Sequence, residues 1–274
     1  MAKGGFWAGW RSRDEATRMM GPIQDRAAQA HALPMSAFCK WKDALVCGVA
    51  LVTATSAAAA NTALPPAHSP ALRGPITTES VDAVLRSLVA SGQRRPQWIV
   101  VSSPGGDVDA ALRLAEFMHQ HGLSIYVDGI CASSCANYLF PAAKEKVIGS
   151  GSLVGWHGSP ASEHIDGLEG LDAGQRQAFE KSRQGMIGRE RRLYVDLGID
   201  PRLLCAGDRT IEKLGALGWT MPIKSMAKFG LKGVTSAGSA PIPLRVPRHA
   251  EPIVVIDPDP DCDRSYMPVA TTNY

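Results

Sequence analysis

The sequence predicts an α/β fold with a largely parallel sheet and flanking helices, and three observations carry that expectation. Short, almost wholly apolar runs such as Gln97 to Ser102 sit between Pro96 and Pro104, as parallel strands covered on both faces do. Amphipathic stretches follow them, with Val108, Ala111, Leu112, Ala115 and Met118 at helical spacing. The two kinds of segment alternate in the rhythm of right-handed βαβ units. A composition of 45% hydrophobic and 20% charged residues suits a packed globular domain.

Residues 1–34 read as an extension ahead of a start at Met35, because a signal ordinarily begins a chain. Residues 35–60 read as a secretory signal. Lys40 and Lys42 precede the apolar run Ala44 to Val52, and small residues follow at Ser56 to Ala60, with cleavage expected near Ala58 or Ala60. The run is shorter than the roughly 20 residues a span needs, so no stable membrane span is expected after cleavage, an uncleaved anchor being the alternative. The mature chain is therefore expected in the periplasm or outside a bacterial cell. Residues 1–60 hold seven of the Lys and Arg and four of the acids, which accounts for the formal net charge of +3 and leaves the remainder balanced. A neutral body gives no reason to expect nucleic-acid binding.

Residues 61–73 read as a linker, 74–235 as the domain and 236–274 as a Pro-rich tail, with one possible strand at Ile253 to Ile256. The first helix runs from Glu79 to Ser91, capped by Thr77 or Thr78 and stopped by Gly92. The second ends at Gly122, and a strand follows at Leu123 to Val127. A helix from about Ser134 to Phe140 stops at Pro141, and short strands come at Lys146 to Ile148 and Leu153 to Gly155. Ser159 to Gly174 is a polar loop. A charged helix from about Gln175 to Leu197 carries Phe179, Met186 and Leu193 seven apart, a core or subunit-facing seam. A final helix is expected at Thr220 to Gly230.

Removing the signal leaves Cys131, Cys135, Cys205 and Cys262, which allow three pairings in a compartment that permits disulfides. Cys131 and Cys135 are close enough for a bridge across the turn between them, and Cys205 to Cys262 would then tie down the tail. The alternative is four small buried hydrophobes or free thiols. No CxxC pair or HExxH occurs, so no metal or other cofactor is expected.

The chemistry concentrates in Ser103-Pro-Gly-Gly-Asp-Val108, Cys131-Ala-Ser-Ser-Cys-Ala136 and Val154-Gly-Trp-His157. A serine hydroxyl is a poor nucleophile until a base takes its proton, and the oxyanion needs preorganised N–H donors. Ser134 at a helix start has unpaired amides and a positive dipole end beside it. Gly105 and Gly106 can aim an N–H at the same spot with no Cβ in the way. Taken singly, the glycines are a tight turn and Ser133-Ser134 a helix cap.

Taken together, these segments resemble the Clp protease proteolytic subunit and the ClpP/crotonase superfamily, over about Gly74 to Gly158 and more loosely Thr220 to Leu231. Within that group the chain looks most like periplasmic ClpP-like proteins with a signal peptide and a Cys-x-Ser-x-Cys-Ala segment. The resemblance implies repeated βα units, Ser134 as nucleophile, His157 as general base, and an oxyanion hole from the N–H groups of Gly106 and Cys135. Ser133 is the adjacent rival nucleophile. For the acid that orients the histidine, direct alignment gives Gly218; with a gap, Asp208 is the candidate and Asp200 the runner-up. Lys144 and Lys146 are the alternative bases, because signal peptide peptidase A has a related fold with a Ser-Lys dyad. His164 is a weaker base candidate than His157, and His119, His121 and His249 are expected to face solvent.

The expected function is an exported serine hydrolase, a peptidase acting on a peptide or protein by acyl transfer. The alternative is a catalytically silent ClpP-like oligomer that binds peptides or a partner. Acyl-CoA chemistry on the crotonase version of the fold is a third reading, disfavoured by export. The resemblance also implies a homo-oligomer, and export implies no ATPase partner.

Overall fold

In the computed structural model of the chain the described residues are 64–90, 98–161, 170–238 and 253–257. The expected extension, the signal, Cys39, Cys47, His164, His249 and Cys262 lie outside them. The described residues belong to one compact unit.

The architecture is α/β, with a six-stranded, wholly parallel sheet flanked by helices. In chain order it comprises β1 (Ala71–Arg73), α1 (Thr78–Ala90), β2 (Trp98–Ser103), α2 (Val108–His121), β3 (Ser124–Ala132), a π-helical turn (Cys135–Leu139) running into α3 (Phe140–Ala142), β4 (Lys146–Ile148) and β5 (Leu153–Gly155). Then come α4 (Ala173–Leu197), a 3-10 turn (Pro201–Leu204), α5 (Asp208–Leu214), β6 (Gly218–Thr220), α6 (Ile223–Met226), a second 3-10 turn (Ala227–Phe229), β7 (Val234–Ser236) and β8 (Ile253–Val255). The sheet order is β1-β2-β3-β4-β7, with β5 also on β3; β6 and β8 form a separate parallel pair.

β3 is the hinge of this arrangement. Its first half pairs with β4 from Ile125 to Val127, and its second half with β5 from Ile130 to Ala132. Its register on β2 shifts between Val101 and Ser103, so that β3 carries extra residues around Gly129, at φ 105°. A bulge of that kind bends and twists a strand. Here it carries the second half of β3 across to a new neighbour, and Ser152 Oγ fills the Gly129 N–H at 2.8 Å.

The helices form where the sequence supplies a cap and a stripe. Thr77 and Ser80 bond each other's amides at the start of α1, and Val81, Val84 and Leu88 turn inward. Asp107 caps α2 by accepting from the Ala110 N–H at 2.8 Å, and Gly122 closes it in a left-handed conformation. On α4, Asp172 and Gln175 form a reciprocal capping box. Arg189 then ties α4 to α2 by gripping Glu116 at 2.8 and 3.0 Å and bonding Asp109.

Several sequence expectations need correction. Leu72, inside the stretch read as linker, is fully buried, and its strand pairs parallel with β2. Pro141 does not end the run at Phe140: the helix continues through it to Ala142, and Asn137 O, four residues before the proline, accepts from Tyr194 Oη instead. Of the helix expected from Thr220 to Gly230, Thr220 ends β6, and the helical part is short α6 and the second 3-10 turn, closed at Gly230 as expected. On α4 the inward residues are Ile187, Glu190, Leu193 and Tyr194, so Leu193 alone of the expected stripe is fully buried. Among the described residues no helix is long and apolar enough to cross a membrane.

If β1 belongs to the domain, Leu72→Ala lowers stability by about 2–5 kcal/mol in urea unfolding. Leu64→Ala, at a position 66% exposed, changes it by less than about 0.5 kcal/mol.

Candidate active site

The carboxyl ends of β2, β3 and β5 deliver three loops to one place, where open parallel sheets gather their functional groups. Cys131 is in register with Ser103 on β2 and with Val154 on β5. The glycine turn therefore begins beside the serine segment, and His157 follows three residues after Val154.

His157 Nε2 lies 2.7 Å from Ser133 Oγ. The serine that meets the histidine is thus Ser133, not Ser134, and both it and His157 remain partly open to solvent. Ser133 is the one non-glycine residue with positive φ among the described residues, at 55°. That conformation costs on the order of 1–3 kcal/mol and persists only where the surroundings enforce it. They do so from both sides of the residue. The Ser133 N–H donates to Gly155 O at 3.0 Å, and Ser133 O accepts from the Asn137 N–H at 2.8 Å. A sharp strand-to-helix turn that lifts a serine hydroxyl out of a sheet is the geometry of a nucleophile elbow.

Ser134 points the other way and is buried. Its Oγ accepts from the Gly106 N–H at 2.8 Å and donates to Gly106 O at 3.1 Å. The two adjacent serines thus face opposite partners, one the histidine and one the glycine turn. The Gly105 N–H is also held, by Ser103 Oγ at 3.1 Å. Both glycines are required by close approach. A Cβ on Gly105 would stand 2.6 Å from Ser133 Cβ, and one on Gly106 would stand 2.3 Å from Ile76 O. Cys135 opens the π-helical turn and is disulfide-bonded to Cys131. Cys205 is disulfide-bonded as well.

The histidine loop is fixed by a two-residue bridge between buried tryptophans. Trp156 N–H donates to Trp219 O at 2.8 Å, and Trp219 N–H to Trp156 O at 2.7 Å. This explains why Gly218, the position that direct alignment gives to an acid, has no side chain. A Cβ there would stand 2.4 Å from Trp156 O and 3.4 Å from His157 Cβ. Asp208 heads α5, next to Gly207, whose Cα packs on the Trp219 indole. Asp200 caps the 3-10 turn and holds Arg202 Nε at 2.8 and 3.0 Å. Burial pushes its carboxyl up, but the bonds and charge of Arg202 outweigh this and leave it below the ordinary aspartate range. Lys146 lies at the other end of the sheet, in register with Ile125 and Val234, where its ammonium donates to Ala143 O and to Lys232 O. It is not placed to serve Ser133, and Lys144 is exposed. His119 and His121 face solvent, as expected.

A buried polar clasp, unread in the sequence, joins the serine turn to the histidine loop. Asn137 Nδ2 donates to Gly158 O at 2.6 Å, Tyr138 Oη to Glu190 at 2.8 Å, Ser159 Oγ to Glu190 at 3.3 Å, and Tyr194 Oη to Asn137 O at 2.9 Å. The available signal was Glu190 itself, a charged residue among Ile187, Leu193 and Tyr194 on the inward face of α4. Glu190 is 3% exposed, and burial raises its pKa to about 7 against the pull of Tyr138, Ser159 and Arg191. Among the described residues no group of three or more His, Cys, Asp or Glu could hold a metal.

Two predictions follow from these contacts. Gly105→Ala forces its Cβ into Ser133 in a backbone region L-residues avoid, so a loss of about 1–3 kcal/mol on urea unfolding is expected. For Glu190, the unfolded carboxyl loses its proton near 4.5 and the folded one near 7. Between those values the folded state alone keeps the proton, so wild-type stability falls by up to about 1.4 kcal/mol per pH unit and levels off above 7. Glu190→Gln removes that slope in a series of urea melts across this window. No family model matches the chain, and no curated protein matches it in sequence.

Proposed function

We propose that the chain is an exported serine hydrolase that cleaves peptide bonds by acyl transfer, on a ClpP/crotonase-like scaffold, with Ser133 as nucleophile and His157 as general base. The observation that carries this reading is the 2.7 Å contact from His157 Nε2 to Ser133 Oγ, on a serine held at positive φ. His157 takes the Ser133 proton as Oγ attacks the scissile carbonyl carbon, then returns it to the leaving amine; water hydrolyses the acyl-serine by the same path in reverse. The nucleophile moves one residue from the expected Ser134, and one of the two oxyanion donors moves with it. The amide after the nucleophile becomes that of Ser134 in place of Cys135, while Gly106 keeps its place. The disulfides at Cys131–Cys135 and at Cys205 support an oxidising compartment, consistent with export. Peptides as substrate rest on the resemblance alone.

A specific observation favours the silent binding domain as the second reading. The Gly106 N–H, one of the two oxyanion donors, is occupied by Ser134 Oγ. Turnover requires a substrate carbonyl oxygen to displace that hydroxyl.

Fluorophosphonate labelling of the protein tests both. Ser133→Ala abolishes labelling, Ser134→Ala retains it, and His157→Ala slows it by about 10²- to 10⁴-fold, the ordinary worth of a general base. Loss in Ser134→Ala with retention in Ser133→Ala would overturn the assignment. No labelling of folded wild type would favour the binding domain.

A further inference from the structure

We infer that the Cys131–Cys135 disulfide is a positioning element of the site, holding Ser133 on His157, so that the hydrolase is competent only when the bridge is oxidised. This inference rests on the reading of Ser133 and His157 given above.

The bridge closes directly over the residue whose backbone needs holding. Its Cα atoms are 5.3 Å apart, and Ser133 is the middle residue between them. Cys131 is fixed by the sheet, being paired on both sides through its register with Ser103 and Val154. Cys135 begins the π-helical turn. The covalent link therefore fastens the end of the strand to the start of the helix across the strained serine. Without it, that conformation is left to non-covalent contacts: the two backbone hydrogen bonds of Ser133, the bonds of Ser134 Oγ to Gly106 and the packing of Gly105.

Both cysteines are fully buried in the main core. Two thiols need more room than one bridge, and a close-packed interior has little to give. A phosphine gives two electrons to the bridge and leaves as the phosphine oxide, the water that supplies its oxygen also supplies the two protons of the two thiols, and the serine turn must shift to house them. A misplacement of about 1 Å between nucleophile and base costs on the order of 10²-fold in rate.

The experiment compares fluorophosphonate labelling rates of the oxidised protein, the protein reduced with tris(2-carboxyethyl)phosphine, and the Cys131→Ala/Cys135→Ala double variant. Cys205→Ala serves as the control for the other disulfide. Circular dichroism and a cooperative melt establish that each is folded. The expected result is a loss of about tenfold or more on reduction and in the double variant. Reoxidation with glutathione disulfide restores the rate, and Cys205→Ala labels as wild type does. A folded double variant that labels at the wild-type rate overturns the inference while leaving the assignment of Ser133 intact.

Amide exchange at Ser133 and Asn137, followed by NMR, is the second measurement, and it needs no catalysis. Faster exchange at these two amides on reduction, with α2 unchanged, supports the clamp even where the oxidised protein does not label and the hydrolase reading itself fails. The same measurement decides the matter where the double variant does not fold. Unchanged exchange at both amides overturns the inference.

Discussion

Everything in the candidate site depends on Cys131 being a shared partner. A residue at the end of a central parallel strand has a neighbour on each side, and here those neighbours are Ser103 and Val154. That double pairing brings a glycine turn, a serine turn and a histidine loop within hydrogen-bonding reach, although Gly106 and His157 are far apart in the chain. It exists only because β3 changes partner along its length. The bulge near Gly129 lets its first half complete the sheet with β4 while its second half accepts β5. A regular β3 would leave the histidine strand with no place beside the serine.

Above the strand ends, polar groups perform work that apolar packing could not. Hydrophobic contacts set spacing with tolerance, whereas hydrogen bonds fix direction. Asn137, Tyr138, Ser159, Glu190 and Tyr194 link the helix behind Ser133, the loop behind His157 and the face of α4 through named atoms. Burying a carboxyl among them is costly in its charged form, and the protein meets that cost by letting Glu190 keep its proton to higher pH. The ion pairs of Arg189 with α2 hold the same stretch of α4 in place.

The parts of this molecule governed by near neighbours were legible in the sequence. Gly122 announces the end of α2, and the apolar run before Ser103 announces β2. The alternation of such runs gave the parallel α/β architecture, and the three site segments stood out because each contains chemistry next to a strand end. What could not be read is set across the chain. Whether Ser133 or Ser134 faces the histidine depends on the φ of Ser133, which Gly155 O and the Asn137 N–H impose from other elements. The spacing taken from the resemblance puts Ser134 at the helix start, and so favours Ser134. The stretch holding β1 read as linker because three residues carry no period, and Leu72 is buried by its partner strand and not by any pattern of its own. Glu190 and its partners are distant in sequence and belong to no motif.

The tightness at Gly218 has a consequence for how this site could change over time. A carboxylate behind His157 cannot be installed there by point mutation, because even one methyl carbon would meet the Trp156 carbonyl. Opening the position would require prising apart the paired tryptophans, and with them the backbone that presents the histidine. An acid facing His157 is therefore excluded from position 218 by the same contact that fixes the histidine loop, and has to come from another segment.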